Sequence, residues 1–226
     1  MPLLEAVKVL LLSTVSFFAA LGVTPFVKKI LHTYGFHYLD QGPKIIQNVG
    51  FVGNIGWYDY TFRIPEKKLH QQQIIKQGKL IDDFKFLDDS DYACKEVHYT
   101  DGDRDYFTAW NDREFIRWQF TDKQFLQYCL TKLEEQVGLI YDDVNCIVSA
   151  THHLPFENLI YDRENVGFMY GRAFMGSKKI GELLLKYPKV KISISGHSHF
   201  PMEKVNGSIR CYNVSNTIPQ LTEIIV

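Results

Sequence analysis

The chain has 226 residues, enough for one sizeable domain whose core needs no covalent or metal staple. Hydrophobic residues make up 46% and charged residues 23%, a balance that excludes a disordered or fibrous chain and suits a globular one. The formal net charge of −1 shows no basic excess, so nucleic acid is not an expected partner.

The first element is apolar. From Val9 to Val27 no charged residue occurs, with Lys8 before the run and Lys28-Lys29 after it. A membrane tether, a secretory segment, and a buried or amphipathic helix ending near Pro25 all fit that length, and the residues leave the three open. Ser13, Thr14, Ser16, Gly22 and Thr24 dilute the run, Glu5 precedes it, and no Ala-x-Ala cleavage site follows. Residues 1–30 are therefore expected to be an apolar helix of open role, and residues 31–226 the domain proper. "FVKKILHTYG" (26–35) has a helical turn pattern closed by Gly35.

Beyond Gly35 the period changes. Short apolar runs at Lys44–Ile46, Val49–Val52 and Ile55, punctuated by glycine and asparagine, predict strands joined by tight turns. Residues 65–105 are polar and charge-rich and are expected to form a long irregular insertion. "TDKQFLQYCLTKLEEQV" (121–137) places Phe125, Leu126, Cys129, Leu130, Leu133 and Val137 at helical spacing, with Thr121 as N-cap and Gly138 as the stop. A strand is expected in "NCIVSATHHLPF" (145–156). A helix opened by Ser177 follows and stops before Pro188, then a strand in "KVKISISGHSHFP" (189–201), then one more after Asn206-Gly207. The C-terminal half thus alternates in the α/β manner, in which ligands sit at the carboxyl ends of strands.

Cys94, Cys129, Cys146 and Cys211 are scattered with no Cys-x-x-Cys spacing. That argues against a zinc knuckle or a disulfide framework and suits a reducing, cytoplasmic setting; the alternative is membrane association through residues 9–27. Trp57, Tyr58, Tyr60, Trp110 and Trp118 are candidates either for the core, the commoner fate of such residues, or for a substrate groove.

Two strand ends carry the chemistry. "IVSATHH" and "ISISGHSH" each run an apolar strand straight into histidine, with a helix of crossover length between them. Neighbouring parallel strands would deliver both clusters to one edge, within reach of a common ion. Imidazole suits zinc, iron, nickel or copper. Gly196 lets the chain turn sharply there, and Ser198 is small enough for His197 and His199 to converge.

These residues resemble a known family. "SGHSHFP" looks like the Gly-His-x-His signature of the calcineurin-like metallophosphoesterases, and "SATHHLPF" like the strand-end histidine with a proline turn that precedes it. "GFHYLDQGPKIIQNVGFVGNIGWYDYTFR" also looks like a stretch of such domains, so the resemblance covers about residues 31 to 226, the C-terminal portion of the domain. It implies an α/β fold of two stacked mixed β-sheets flanked by helices, with the N-terminal part incomplete. It also implies His152 and His197 on one metal and His199 on a second, with His153 as the alternative to His152. The implied cofactors are divalent metal ions (Mn, Fe or Zn), paired in the family. The implied substrate is a phosphomonoester or phosphodiester.

The family's Asp-x-His, Gly-Asp-x-x-Asp and Gly-Asn-His-Asp signatures are not found. "GDRDY" (102–106) has the wrong spacing, and "GNIGWYD" (53–59) lacks the histidine, so Asn54 and Asp59 are expected to be structural or substrate-side groups. His32, His37, His70 and His98 show no partner pattern. Neutral imidazoles alone do not offset two divalent charges. The expectation is an N-terminally shortened phosphoesterase with reduced or no activity; the alternative is a non-catalytic remnant or interaction module that keeps the fold without the paired metals. A sheet missing partner strands is also expected to favour a homo-oligomer.

Overall fold

The computed structural model describes residues 29–31, 33–63, 75–76, 79–80, 97–101, 104–108, 112, 116, 119–161 and 166–214. The expected N-terminal helix, the apolar run 9–27, His32, His70, Trp110 and Trp118 lie outside these. Among the described residues no helix is long and apolar enough to cross a membrane.

The architecture is α/β, a six-stranded mixed sheet flanked by helices. Its strands are β1 (Lys44–Ile46), β2 (Val49–Asn54), β7 (Cys146–Thr151), β8 (Val190–Ser195), β9 (Met202–Asn206) and β10 (Ile209–Asn213). They lie in the order β1-β2-β7-β8-β10-β9. The four central strands are parallel, and the antiparallel β1 and β9 close the two edges. The remaining described strands form two separate antiparallel ribbons, β3 (Ile75–Lys76) with β4 (Lys79–Leu80) and β5 (Val97–Asp101) with β6 (Arg104–Thr108). The expected irregular insertion is therefore partly regular. Its second ribbon carries Val97 and Tyr99 in alternation with His98 and Thr100 before the pair Gly102-Asp103, a hairpin signal that the charge density of the segment masks.

Local chemistry fixes each element that frames the sheet. Gln47 and Asn48, at φ 46° and 66°, turn β1 into β2 through the left-handed region that asparagine tolerates. Gly35, at φ 74°, ends the first helical turn, where Phe36 N donates to Leu31 O. Helix α1 (Asp122–Ile140) starts on a reciprocal capping box between Thr121 and Gln124. It runs through Gly138, the expected stop, because Gly138 has no left-handed φ and the extra turn buries Ile140 in the core. After α2 (Val166–Gly171), helix α3 (Lys178–Leu185) starts where Ser177 Oγ accepts from Lys179 N.

The core joins Leu126, Leu133, Val137 and Ile140 of α1 and Ile180, Leu183 and Leu184 of α3 to Val52, Ile147, Val190, Ile209 and Cys211 of the sheet. Gly50 allows the close approach of α1, since a Cβ there would sit 2.4 Å from Ile140 Cδ1. On the alternate residues of the central strands, Val148, Ala150 and Ile192 are buried too. Burial on both faces is the normal state of parallel strands, and it leaves the strand ends as the exposed chemistry.

Candidate metal centre

One row of the sheet places the site. The registers Asn54↔Thr151, Thr151↔Ser195 and Ser195↔Asn213 align the last residues of the four parallel strands. The segments that leave them, Ile55 onward, His152-His153 and Gly196 to His199, share one carboxyl edge. The Ile55 carbonyl ties the first two together, accepting from His152 N at 3.2 Å, His153 N at 3.0 Å and His153 Nδ1 at 3.2 Å. Gly196 N donates to His152 O at 3.1 Å and joins the third.

Four imidazoles gather there. Ring centroids lie 4.7 Å apart for His152 and His197, 4.4 Å for His153 and His197, and 5.1 Å for His152 and His153. His197 Nδ1 meets His152 Nε2 at 2.8 Å, so one ring donates and the other accepts. The Phe174 backbone lies near the His197 ring. His199 is exposed and lies close enough to act electrostatically on both His152 and His197. The sequence left His152 and His153 as alternatives; both rings enter the cluster.

His153 is the most enclosed of them, 1% exposed. Its Nδ1 faces a carbonyl, which only accepts, so Nδ1 carries the proton and Nε2 keeps its lone pair. That Nε2 is buried and makes no hydrogen bond within the protein. Trp57 and Tyr58 flank the ring at 4.9 and 5.7 Å, and Thr151 Oγ1 donates to His153 O at 2.8 Å. Trp57 in turn donates Nε1–H to Asp122 Oδ1 at 2.8 Å, and the Tyr60 hydroxyl donates to Asp122 Oδ2, which pins the aromatic loop to the start of α1. Trp57, Tyr58 and Tyr60 are core residues, 2–3% exposed, rather than a groove lining.

The environment holds His152, His153 and His197 neutral. Burial lowers the His152 pKa to about 4, with His199 adding to the effect. Burial first, then the neighbouring rings, pushes His153 and His197 well below the usual imidazole value. Neutral imidazole is the form that binds a metal.

The glycine-histidine turn is strained in a directed way. His197 and His199 both occupy the left-handed region, at φ 67° and 59°. For a residue with a Cβ each such placement costs about 1–2 kcal/mol, and it persists where the surroundings impose it. Here the surroundings are Ser198 N bonded to Gly196 O at 2.8 Å, and the Asn213 side chain, whose Nδ2 donates to both Ser198 Oγ and Phe200 O.

Asn54 and Asp59 take structural roles. Asn54 ends β2 in the same row, but Nδ2 donates to Cys129 O and Oδ1 accepts from Gly56 N. Asp59 Oδ1 accepts from Thr61 N and Oγ1, and Oδ2 lies 3.4 Å from Lys179 Nζ. His37 bonds Gly42 O at 2.9 Å. Among the described residues no group of three or more His, Cys, Asp and Glu side chains is already arranged around an ion position. His152 and His197 instead satisfy each other.

The donor set nevertheless fits one divalent ion. Two nitrogens bound to one ion at 2.0–2.1 Å stand about 3.0 Å apart at a right angle and about 3.4 Å apart in a tetrahedron. His152 Nε2 and His197 Nδ1 are 2.8 Å apart, so exchanging their shared proton for a cation needs a parting of a few tenths of an ångström and a tilt of each ring by roughly 35–45°. Among the described residues no carboxylate joins them to balance a second ion.

No family model matches the sequence, and no curated protein matches it. Among solved structures the chain is similar to phosphopantetheinyl hydrolase from Mycobacterium tuberculosis, with a TM-score of 0.51 and 13% identity over 85% of this chain and 60% of that one. The chain thus spans about 60% of the length of that enzyme, and the likeness is one of fold. A second structure, GAP50, the anchor in the inner membrane complex of Plasmodium, has a TM-score of 0.29 and 17% identity over 54% of this chain and 36% of that one.

Proposed function

We propose that the chain is a phosphoesterase-like protein that binds a divalent cation at the carboxyl edge of its sheet through His152, His153 and His197, with His199 at the rim. The observation that carries this is the His153 ring, whose tautomer is set by the Ile55 carbonyl and whose buried Nε2 has no hydrogen bond, beside two further neutral imidazoles. An orphaned lone pair in an apolar wall is costly unless something occupies it. The fold shared with a phosphopantetheinyl hydrolase supports phosphoester chemistry, and the histidine-bearing strand ends support metal dependence. A bound divalent ion supplies Lewis-acid polarisation of a phosphoryl oxygen and neutralises charge. Within this reading the residues have separate tasks. Ile55 orients His153, the aromatic loop excludes water from its ring, and the exposed His199 faces the side from which a phosphate ester approaches.

Turnover is expected to be weak, because a single ion without a carboxylate partner leaves a nucleophile and leaving group poorly served. The test is hydrolysis of bis(p-nitrophenyl) phosphate and p-nitrophenyl phosphate in added zinc or manganese. The expected result is a slow, metal-dependent rate that His197→Ala abolishes. A rate indifferent to both chelator and His197→Ala would show that the histidine edge does no phosphoester chemistry. The second reading, a non-catalytic module that keeps the fold, draws on the same absence of a carboxylate among the described cluster residues; it predicts metal uptake of at most one ion and no hydrolysis.

A further inference from the structure

We infer that Asn213 is the positioning residue of the histidine turn: from the end of β10 it clamps residues 198 and 200 and thereby holds His197 and His199 in the left-handed backbone that presents them to the site. The inference rests on the proposed metal-binding role for the consequence of that clamp, and on geometry alone for the clamp itself.

Asn213 is 3% exposed and lies in the terminal register row, opposite Ser195, the residue from which the turn departs. The backbone pairing continues one residue further, where Val214 N donates to Ser195 O at 2.7 Å. Its Nδ2 reaches over the turn and donates to Ser198 Oγ and to Phe200 O. These two acceptors flank His199, and Ser198 separates it from His197, so one amide holds the chain on both sides of the rim histidine. Ser198 itself is buried, at 7% exposed, which keeps its hydroxyl in place.

The other half of the amide sharpens the assignment. Asn213 Oδ1 is buried and makes no hydrogen bond within the protein. An amide oriented for its own satisfaction would pair its oxygen; this one gives that up and spends its donors on the turn. Neither serine nor aspartate could replace it. A serine hydroxyl is too short and has one proton, and an ionised carboxylate has none to offer a carbonyl. His197 and His199, one on each side of Ser198, would otherwise relax: histidine enters the left-handed region more often than most residues with a Cβ, but it still carries the steric cost there.

The test compares Asn213→Ala, Asn213→Asp and Ser198→Ala with Cys211→Ala, which loosens the same strand without touching the turn. In the metal-free protein, backbone chemical shifts of His197 and His199 report φ. The expected result is loss of the left-handed signature at both histidines in the two Asn213 variants, a shift in the same direction in Ser198→Ala, and retention in Cys211→Ala. Retention in a folded Asn213 variant, or in Ser198→Ala if neither Asn213 variant folds, overturns the inference. Loss in Cys211→Ala as well overturns it too, because the effect would then belong to the strand. A parallel cobalt(II) titration is expected to show affinity at least about tenfold weaker in the Asn213 variants, the usual scale for groups that orient metal ligands. If the wild-type chain takes up no cobalt, the metal-binding proposal fails, while the backbone shifts still decide the clamp.

Discussion

His152, His153 and His197 have pKa values depressed by burial first and by neighbouring histidines, His199 among them, and this sets a sign for the response to acid. An unfolded histidine titrates near 6.5, whereas folded His152 titrates near 4. Between these values the unfolded chain binds more protons than the folded one, so stability falls as pH falls. The contribution is complete above about pH 6.5 and is lost progressively toward pH 4, with His152 alone accounting for about 3 kcal/mol. Urea unfolding of chelator-treated protein across that window is expected to show the midpoint dropping well before the carboxylates titrate. A flat midpoint from neutrality to about pH 5 would contradict the buried, neutral cluster. At this scale the sequence was informative about the site. Histidines directly following apolar strands are a local pattern, and local patterns can be read. The choice between His152 and His153 could not be, because it depends on the Ile55 carbonyl, which sits on a different strand end.

Helix α1 and strand β2 show an element-scale device that amphipathic periodicity does not reveal. β1 pairs with β2 only as far as Phe51, which leaves Gly53 beyond its reach. Gln136 of α1 fills that gap. Its Oε1 accepts from Gly53 N at 2.8 Å, and its Nε2 donates to Gly53 O at 3.1 Å and to Leu39 O at 2.8 Å. One side chain thus stands in for a missing strand one residue before the row that carries the site. Replacing it by leucine keeps size and helix propensity but takes this partner from both buried backbone groups of Gly53 and one of two donors from Leu39 O, which keeps Gly42 N, a loss of about 2–3 kcal/mol. Chemical denaturation of Gln136→Leu measures it; a loss under about 1 kcal/mol would mean that water or a backbone shift takes over these bonds. The helix itself was legible from Thr121 and its apolar positions. Its length was not, because Gly138 reads as a stop whereas tertiary burial of Ile140 carries the helix past it. Gln136 gave no signal, since a polar residue on a helix is ordinarily exposed.

For the whole molecule, the parallel register does the assembling. Four strands begin in unrelated parts of the chain and finish in one row, so residues as distant as Asn54 and Asn213 share an edge with the histidines. That topology brings His152 and His199 together, as neighbouring strands required. It also explains why Asn213 was illegible, since nothing near it in sequence marks the turn it holds. The outer strands are short and charged at their margins: β1 has three residues and exposes Lys44, and β9 exposes Glu203 and Lys204. Both features work against edge-to-edge pairing.

The most direct measurement is calorimetric titration of the chelator-stripped chain with zinc near neutral pH, in wild type, His153→Leu and His197→Ala. One zinc per chain is predicted for wild type. Affinity is expected to weaken at least about tenfold in His153→Leu, with the melting temperature little changed because an apolar ring-sized side chain replaces an orphaned nitrogen, and uptake is expected to be lost in His197→Ala. No uptake by wild type, or equal affinity in all three proteins, would contradict a cation site at the carboxyl edge of the sheet.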